Sequence, residues 1–210
     1  FGNQTTEVWT NAGTSPFPFA RNFIIPRGIA GPYCVTGHED GFSKVPIWVG
    51  DDNVVYRLNG YTPEPVANDD VTRDISDAVL AGDGALLEAS VYMQGKHAFW
   101  RLTYPDNWTW EYNATTKNWN ERESFNRDDC RASGSVHAFN RWIVGDRITG
   151  KLFSVDETYV REGDDALTYE IYSGVAVNFP ARIAIPRADF NFTAAVGMAA
   201  GEDSIQTNPS

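Results

Sequence analysis

Residues 48–59 read WVGDDNVVYRLN, two apolar runs joined by a tight turn of Gly, Asp and Asn. This pattern is typical of an aromatic β-hairpin. Similar hairpin signals recur at residues 99–113 and 142–156. In each of the three repeats, the equivalent strand ends in Asn or Asp. These residues are Asn59, Asn113 and Asp156, and they are 54 and 43 residues apart. Recurrence at this spacing predicts the blades of a β-propeller.

Most of the remaining chain also carries strand and turn signals. Short strands are predicted at 6–10, 33–36, 46–49 and 54–58, with a turn at 59–63 closing the first unit and a hairpin turn at 145–150. Val71, Ile75, Ala78 and Val79 fall at helical spacing and predict one short helix over 70–80, stopped by Gly82 and Gly84. The sequence therefore predicts an all-β fold of β-propeller-like blades, a partial or incomplete propeller, with one short helix.

The carboxyl-terminal quarter divides into two parts. Apolar and polar residues alternate at 167–171, 175–179 and 190–192, as in half-buried strands. Residues 194–210 are Ala, Gly and polar residues without periodicity, which predicts a loop or disordered tail. We therefore expect a propeller-type region over 1–193. Three or four blades rarely close a propeller, so the chain is expected to be a fragment of a longer protein.

Charge and hydropathy exclude some classes of function. Acidic residues outnumber basic ones, 28 to 17, for a net charge of −11. Because nucleic-acid affinity comes mainly from Lys and Arg, this balance argues against a phosphate-binding surface. No apolar stretch approaches the ~20 residues of a membrane span, so no membrane insertion is expected. The chain opens FGNQ, without a signal peptide or an initiator Met, which suggests a processed product or a piece of a longer chain.

Residues suited to metal or redox chemistry are few and scattered. Metal-type spacing such as Cys-x-x-Cys is missing, so no metal or cofactor site is predicted. Cys34 and Cys130 are too few for a disulfide scaffold, and we expect reduced cysteines, although the sequence leaves open whether they pair. The histidines are isolated from one another: His38, His97 and His137.

Adjacent carboxylates and aromatic residues are the remaining candidates for chemistry. A glycosidase needs two carboxylates roughly 5 to 10 Å apart across a sugar. Most of the pairs lie beside turn residues, where Asp bonds its own backbone, so no catalytic residue is predicted. The seven Trp and nine Tyr could line a carbohydrate-binding face, but they are expected to fill cores and cross-strand pairs. The carboxylate pairs are Asp51–Asp52, Asp69–Asp70, Asp128–Asp129 and Asp164–Asp165.

Eight short motifs occur in an order that resembles one protein family. They are PFPFAR at 16–21, IPRG at 25–28, IWVGDD at 47–52, VYRLNGYTP at 55–63, WEYN at 110–113, NWNER at 118–122, VGD at 144–146 and GKLF at 150–153. Together they resemble the packaged-DNA stabilisation proteins of short-tailed bacteriophages, the tail-hub or tail-nozzle subunit. The resemblance covers most of residues 13–160. It departs at 64–68, EPVAN, where the family has other residues.

The resemblance implies a non-enzymatic virion structural protein, made in the cytoplasm of the host bacterium. Its ring, a homo-hexamer below the head-to-tail adaptor, would continue the DNA channel, retain packaged DNA and attach tail spikes, fibres or a needle. Acids facing the lumen would let double-stranded DNA pass without specific binding. An alternative from another class stays open, a secreted β-propeller glycosidase or carbohydrate-binding protein. It predicts a monomer whose activity depends on one carboxylate pair.

Overall fold

The computed structural model describes residues 1–159, 161–167, 170 and 187. The chain divides into two compact units, residues 1–157 and residues 158–210. In the described part of the second unit, Arg161–Glu162 and Asp165–Ala166 pair as a short antiparallel hairpin. The first unit contains three antiparallel sheets of three or four strands, one separate hairpin and one α-helix.

The chain begins with a two-stranded hairpin, the N-terminal hairpin, formed by β1 (Thr6–Asn11) and β2 (Phe19–Ile25). Thr6 lies opposite Ile25, and these two residues at the base are the buried ones of both strands. The predicted strand at 6–10 is confirmed. The prolines at 16 and 18 lie in the connecting loop, where no backbone donor is needed.

The first sheet is a four-stranded meander in the order β3-β4-β5-β6. The predicted turn at 59–63 is present at Gly60 and Tyr61, but it does not close the unit, because Thr62–Pro65 returns as a fourth strand and pairs with β5. Its two prolines are tolerated because an edge strand needs no donor on its outer side. The strands are β3 (Val35–Thr36), β4 (Ile47–Val49), β5 (Val55–Asn59) and β6 (Thr62–Pro65).

Helix α1 (Asp69–Leu80) follows the first sheet and confirms the helix predicted at 70–80. The Asn68 side chain caps its first turn by accepting a hydrogen bond from the backbone N–H of Val71 at 2.9 Å. Val71, Ile75 and Ala78 form its buried face. Ala81 is the C-cap, Gly82 follows with a positive φ of 91°, and a 3-10 turn spans Gly84–Leu86.

The cap at Asn68 gives a direct test of the helix start. We expect Asn68→Ala to lower the free energy of unfolding by about 1 kcal/mol, since the Val71 N–H loses its acceptor. Urea unfolding followed by circular dichroism measures the change. Asn120→Ala on an exposed edge position is the control, with an expected change within about 0.5 kcal/mol. Equal effects of the two substitutions would contradict the capping role.

The second sheet is a four-stranded meander in the order β7-β8-β9-β10. Trp100 on β8 lies opposite Val91 on one side and Tyr112 on the other. Trp119 lies against Trp100 edge to face, with ring centroids 6.1 Å apart, and its Nε1 donates to the Val66 carbonyl at 2.7 Å. The strands are β7 (Glu88–Gln94), β8 (His97–Tyr104), β9 (Trp108–Asn113) and β10 (Asn118–Glu121).

The third sheet has three strands in the described residues, β11 (Ala132–Ala138), β12 (Arg141–Asp146) and β13 (Leu152–Ser154). The predicted hairpin turn at 145–150 is confirmed: the Gly150 N–H donates to the Asp146 carbonyl at 2.8 Å. Gly150 has φ 69°, a backbone conformation that most other residues avoid.

The three sheets repeat the positions of their key residues. Trp48, Trp100 and Trp142 all lie on the second strand in chain order, and all are buried. Asn59 and Asn113 each end the third strand of a four-stranded sheet. Asp156 lies two residues beyond the end of the third strand of its sheet. The repeat predicted from the sequence is therefore a repeat of antiparallel meanders.

The main hydrophobic core joins these elements, and a smaller buried cluster of Cys130, Ala132 and Val144 lies at the third sheet. The main core takes Val49 and Val55 from the first sheet, Val71 and Ile75 from α1, and several residues from the second sheet. Phe42 and Trp142 extend it towards the third sheet, with their rings edge to face at 6.5 Å. Packing on this shared core therefore stabilises the three small sheets together.

The predicted fold class is confirmed: the described chain is mostly strands in small antiparallel sheets, with one α-helix and no closed barrel. No helix in these residues is long and apolar enough to cross a membrane. The predicted alternations at 175–179 and 190–192 and the tail at 194–210 lie outside the described residues, as does most of 167–171. The boundary at residue 193 stays a prediction.

Candidate structural site: a charged joint between two sheets

Charged side chains link the second and third sheets through Asp129, which is fully buried between β10 and β11. Its carboxylate accepts from Arg127 Nε at 2.7 Å and from Arg147 Nη1 at 3.0 Å. Arg147, in the β12–β13 turn, also donates to Glu88 at the start of β7, at 2.8 Å. Arg127 reaches Asp106 in the β8–β9 turn at 2.7 Å. We call these five residues the charged joint.

A second ion pair stiffens the third sheet itself. Arg131, just before β11, donates from Nε and Nη2 to the two carboxylate oxygens of Asp146 at 2.8 and 2.9 Å. Asp146 ends β12 and also accepts from the backbone N–H groups of Ile148 and Thr149 in its own turn. Both side chains of the pair are almost completely buried. A two-pronged Arg–carboxylate pair fixes orientation as well as charge.

The two buried carboxyls both have lowered pKa values. Burial alone would raise the pKa of Asp129, but hydrogen bonds from Arg127 and the Asp106 N–H, with the charge of Arg147, lower it overall. Arg131 is the main cause of the strongly lowered pKa of Asp146, and the turn donors add to it against the cost of burial. Both groups therefore stay ionised in the folded protein.

These shifts predict a loss of stability in acid. The folded carboxyls bind protons less readily than the unfolded ones, whose ordinary pKa is 3.8. Stability from them is therefore complete above that value and is lost as the pH falls through it and below. We expect the urea midpoint to hold from about pH 6 to pH 5 and to fall from about pH 4 to pH 2. A midpoint unchanged over the acid range would contradict the assignment.

In three of the four carboxylate pairs highlighted by the sequence, at least one carboxylate binds a partner at hydrogen-bond distance in the folded chain: Asp51 and Asp52, Asp70, and Asp129. Asp51 accepts from the Gly28 N–H at 3.0 Å, and Asp52 binds Tyr56 Oη at 2.7 Å and Arg27 at 3.2 Å. Asp69 and Asp70 lie in the first turn of α1, where the helix dipole favours acids. The Asp128–Asp129 pair contributes Asp129 to the charged joint. Asp164 and Asp165 lie in the hairpin of the second unit.

The histidines and cysteines lie apart from one another. In the part of the chain that the structure describes, no three His, Cys, Asp or Glu side chains are placed to hold a metal ion. His97 contacts the Asn113 amide at 3.2 Å, and His137 packs on Trp142. Cys34 and Cys130 are both free and buried. Burial raises the pKa of Cys34 to about 12, so this thiol is unreactive at neutral pH.

The aromatic residues largely follow the expected packing role. Trp48, Trp100, Trp110 and Trp142 are buried. Tyr92 lies under Phe99 with centroids 5.0 Å apart, and its hydroxyl donates to Glu111 at 2.6 Å. Burial is the main cause of its raised pKa. Trp9 in the N-terminal hairpin departs from the expectation, because it is half exposed.

Sequence reasoning missed the charged joint. The residues whose contacts join the two sheets are 18 to 59 residues apart along the chain, so no local motif marks them. The one usable signal is the turn at 145–150, which is predicted from sequence and contains Asp146, but the sequence does not indicate the arginine that binds this carboxylate. The arginines carry no local signal beyond their charge, although Arg127, Arg131 and Arg147 all bind carboxylates in the interior or at its edge.

A scan against protein-family models matches residues 1–160 to the phage stabilisation family, described as bacteriophage P22 Gp10, beta-propeller. The chain belongs to this family. The match covers the three repeated sheets, and it confirms the resemblance to packaged-DNA stabilisation proteins. A direct comparison with curated protein sequences finds no match. Membership gives this phage stabilisation protein a structural role in the phage, as a virion component.

Proposed function

We propose that this phage stabilisation protein is a subunit of the tail hub or nozzle of a short-tailed phage. Six copies form a ring below the head-to-tail adaptor, continue the DNA channel and help to retain the packaged genome. The outside of the ring attaches tail spikes, fibres or a needle. The subunit is made in the host cytoplasm and has no enzymatic activity.

The observation that carries the proposal is the family match over 1–160, on a chain whose sheets repeat as propeller-type meanders. The charged joint adds a mechanical argument. Asp129 and Arg147 tie neighbouring sheets by charged hydrogen bonds in addition to the shared core. Such bonds fix the orientation of packed elements, which suits a subunit that must resist the pressure of packaged DNA.

The net charge of −11 supports a conduit more than a DNA-binding surface. Each Lys or Arg contact to phosphate adds affinity that falls with salt, and would hold the genome at the wall. A wall rich in Asp and Glu repels phosphate and lets DNA slide. A lumen lined by Arg in the assembled ring would contradict this part of the proposal.

No specific observation favours the alternative of a carbohydrate-directed protein. Asp52 and Asp129 have arginine partners, and the most buried tryptophans are in cores. Partnered carboxylates and buried rings of this kind stabilise a fold and leave little free to contact a sugar.

Two measurements test the proposal. Electron microscopy of virions is expected to place six copies directly below the adaptor, and any other copy number or location would contradict the proposal.

Phage carrying a stop codon early in the gene are expected to package DNA and then lose it, so that nuclease digests the released genome. Supplying the wild-type protein from a plasmid is the control and should restore nuclease resistance. Mutant heads that keep their DNA would refute the retention role.

A further inference from the structure

The N-terminal hairpin, residues 6–25, makes few contacts with the rest of the described chain. One of them is the stacking of Phe23 on Tyr61, with ring centroids 5.3 Å apart. Along β1 and β2, burial is confined to Thr6 and Ile25 at the base. A two-stranded hairpin alone in water is marginally stable, and three or more strands or a packed partner are normally needed. The rest of the hairpin therefore lacks the packing that the other sheets have.

The end of the hairpin carries an aromatic cluster. The rings of Trp9 and Phe17 lie edge to face at 6.1 Å, and those of Phe17 and Phe19 at 5.8 Å. These three side chains are 48%, 59% and 48% exposed. Near the base, Phe23 and Ile24 are also exposed. Exposed aromatic side chains grouped as in this cluster mark a contact with another molecule.

The charged groups of the hairpin are satisfied within it. Its only charged residues are Glu7 and Arg21, which pair with each other at 2.8 Å. Glu7 also accepts from Trp9 Nε1 at 3.0 Å, and the Thr14 hydroxyl donates to the Phe17 carbonyl at 2.8 Å. The hairpin can therefore lose water at an interface without leaving a charge unpaired.

Charge narrows the choice of partner. The hairpin is neutral, so the rest of the chain carries the whole net charge of −11. Two copies that met through their acidic bodies would repel each other, whereas a neutral apolar hairpin contacts such a body without repulsion. A polyanion is not the occupant, because Arg21 is the hairpin's one cation and it is already paired.

We propose that the N-terminal hairpin docks on the body of the neighbouring copy in the ring. The inference rests on the proposed function, because the ring supplies the neighbour. Each copy would give one hairpin and receive one, a head-to-tail contact that closes into a ring when the rotation allows it. The aromatic cluster is the anchor of this contact, and aromatic side chains commonly dominate such interfaces.

Photo-cross-linking in the complete protein tests the docking. Benzoylphenylalanine at Phe17 is expected to give covalent dimers and higher multimers, with the cross-linked peptide in the body of a second copy. The same group at Phe139, an exposed ring outside the hairpin, is the matched control and is expected to give at least tenfold less dimer. Cross-links confined to a single chain, or equal yields at both positions, would overturn the inference.

Sedimentation of the triple variant Trp9→Ser, Phe17→Ser, Phe19→Ser separates this inference from the proposed function. We expect at least tenfold weaker self-association than for Phe139→Ser, with unchanged circular dichroism. Unaltered assembly of the triple variant would overturn the hairpin's role and leave the ring standing. If the complete protein stays monomeric to about 100 µM, the proposed role of the hairpin is also overturned. The ring itself is tested independently, by electron microscopy of virions. Phosphatidylcholine–phosphatidylglycerol vesicles that bind wild type but not the triple variant would assign the hairpin to lipid and overturn the inference too.

Discussion

Asp146→Asn is expected to lower the free energy of unfolding by about 3–5 kcal/mol. The substitution keeps the shape of the side chain and one acceptor for the turn N–H groups. It removes the charge that Arg131 binds through two hydrogen bonds, at a site where both side chains are almost completely buried. A guanidinium that loses this carboxylate stays in the interior at high cost. Urea unfolding at pH 7 measures the change.

The matched control is Asp70→Asn, whose carboxylate pairs with Arg73 at 3.0 Å on the exposed side of α1. Exposed pairs contribute little, so the expected loss is below about 1 kcal/mol. The double variant Asp146→Asn, Arg131→Met should recover part of the loss, because the buried cation is then gone as well. Equal losses for Asp146→Asn and Asp70→Asn would show that burial does not govern the strength of this pair.

Trp100→Ala is expected to cost about 3–5 kcal/mol, the usual range for removing a large buried aromatic side chain. Trp100 has no exposed surface and lies on β8, an inner strand of the second sheet, between Val91 and Tyr112. Its removal leaves a cavity beneath Trp119, whose ring packs on it edge to face. Thermal or urea unfolding, followed by tryptophan fluorescence and circular dichroism, gives the loss.

Two companion substitutions sharpen this prediction. Trp9→Ala removes the same side chain from a half-exposed site and should cost less than about 1 kcal/mol. Trp100→Phe should cost much less than Trp100→Ala, because most of the volume stays and Trp100 Nε1 donates to no acceptor in the described structure. A large loss for Trp9→Ala together with a small one for Trp100→Ala would reverse the assignment of core and surface.

Local sequence was sufficient wherever the structure depends on neighbouring residues. Val71, Ile75 and Ala78 lie one turn apart, so their burial on one side of α1 could be predicted from spacing alone. The turn at 145–150 was equally clear, because Gly150 and Asp146 lie within one hairpin. The repeat of meanders was visible because each sheet is made of strands that follow one another in the chain.

Edge position was invisible at the level of sequence. The turn at 59–63, which includes Pro63, suggested the end of the first unit, since proline interrupts a strand whose two sides are both paired. Only the completed sheet shows that β6 is the outermost strand, where the missing donors of Pro63 and Pro65 cost nothing. The exposure of Trp9 was equally hidden, because an aromatic residue in an alternating strand normally faces a core.

The sequence by itself determined the class of fold, the single helix, the repeat and the family, because these depend on periodicity, turn residues and the order of short motifs. Tertiary structure decided which charges and which aromatics matter. Asp129 and Arg147 are 18 residues apart, and Arg147 and Glu88 are 59 apart. Such contacts exist only after the meanders pack on one core, since folding and not local pattern brings distant side chains within hydrogen-bond distance. For the same reason, only the packed structure shows that Trp9 and Phe17 stay outside that core.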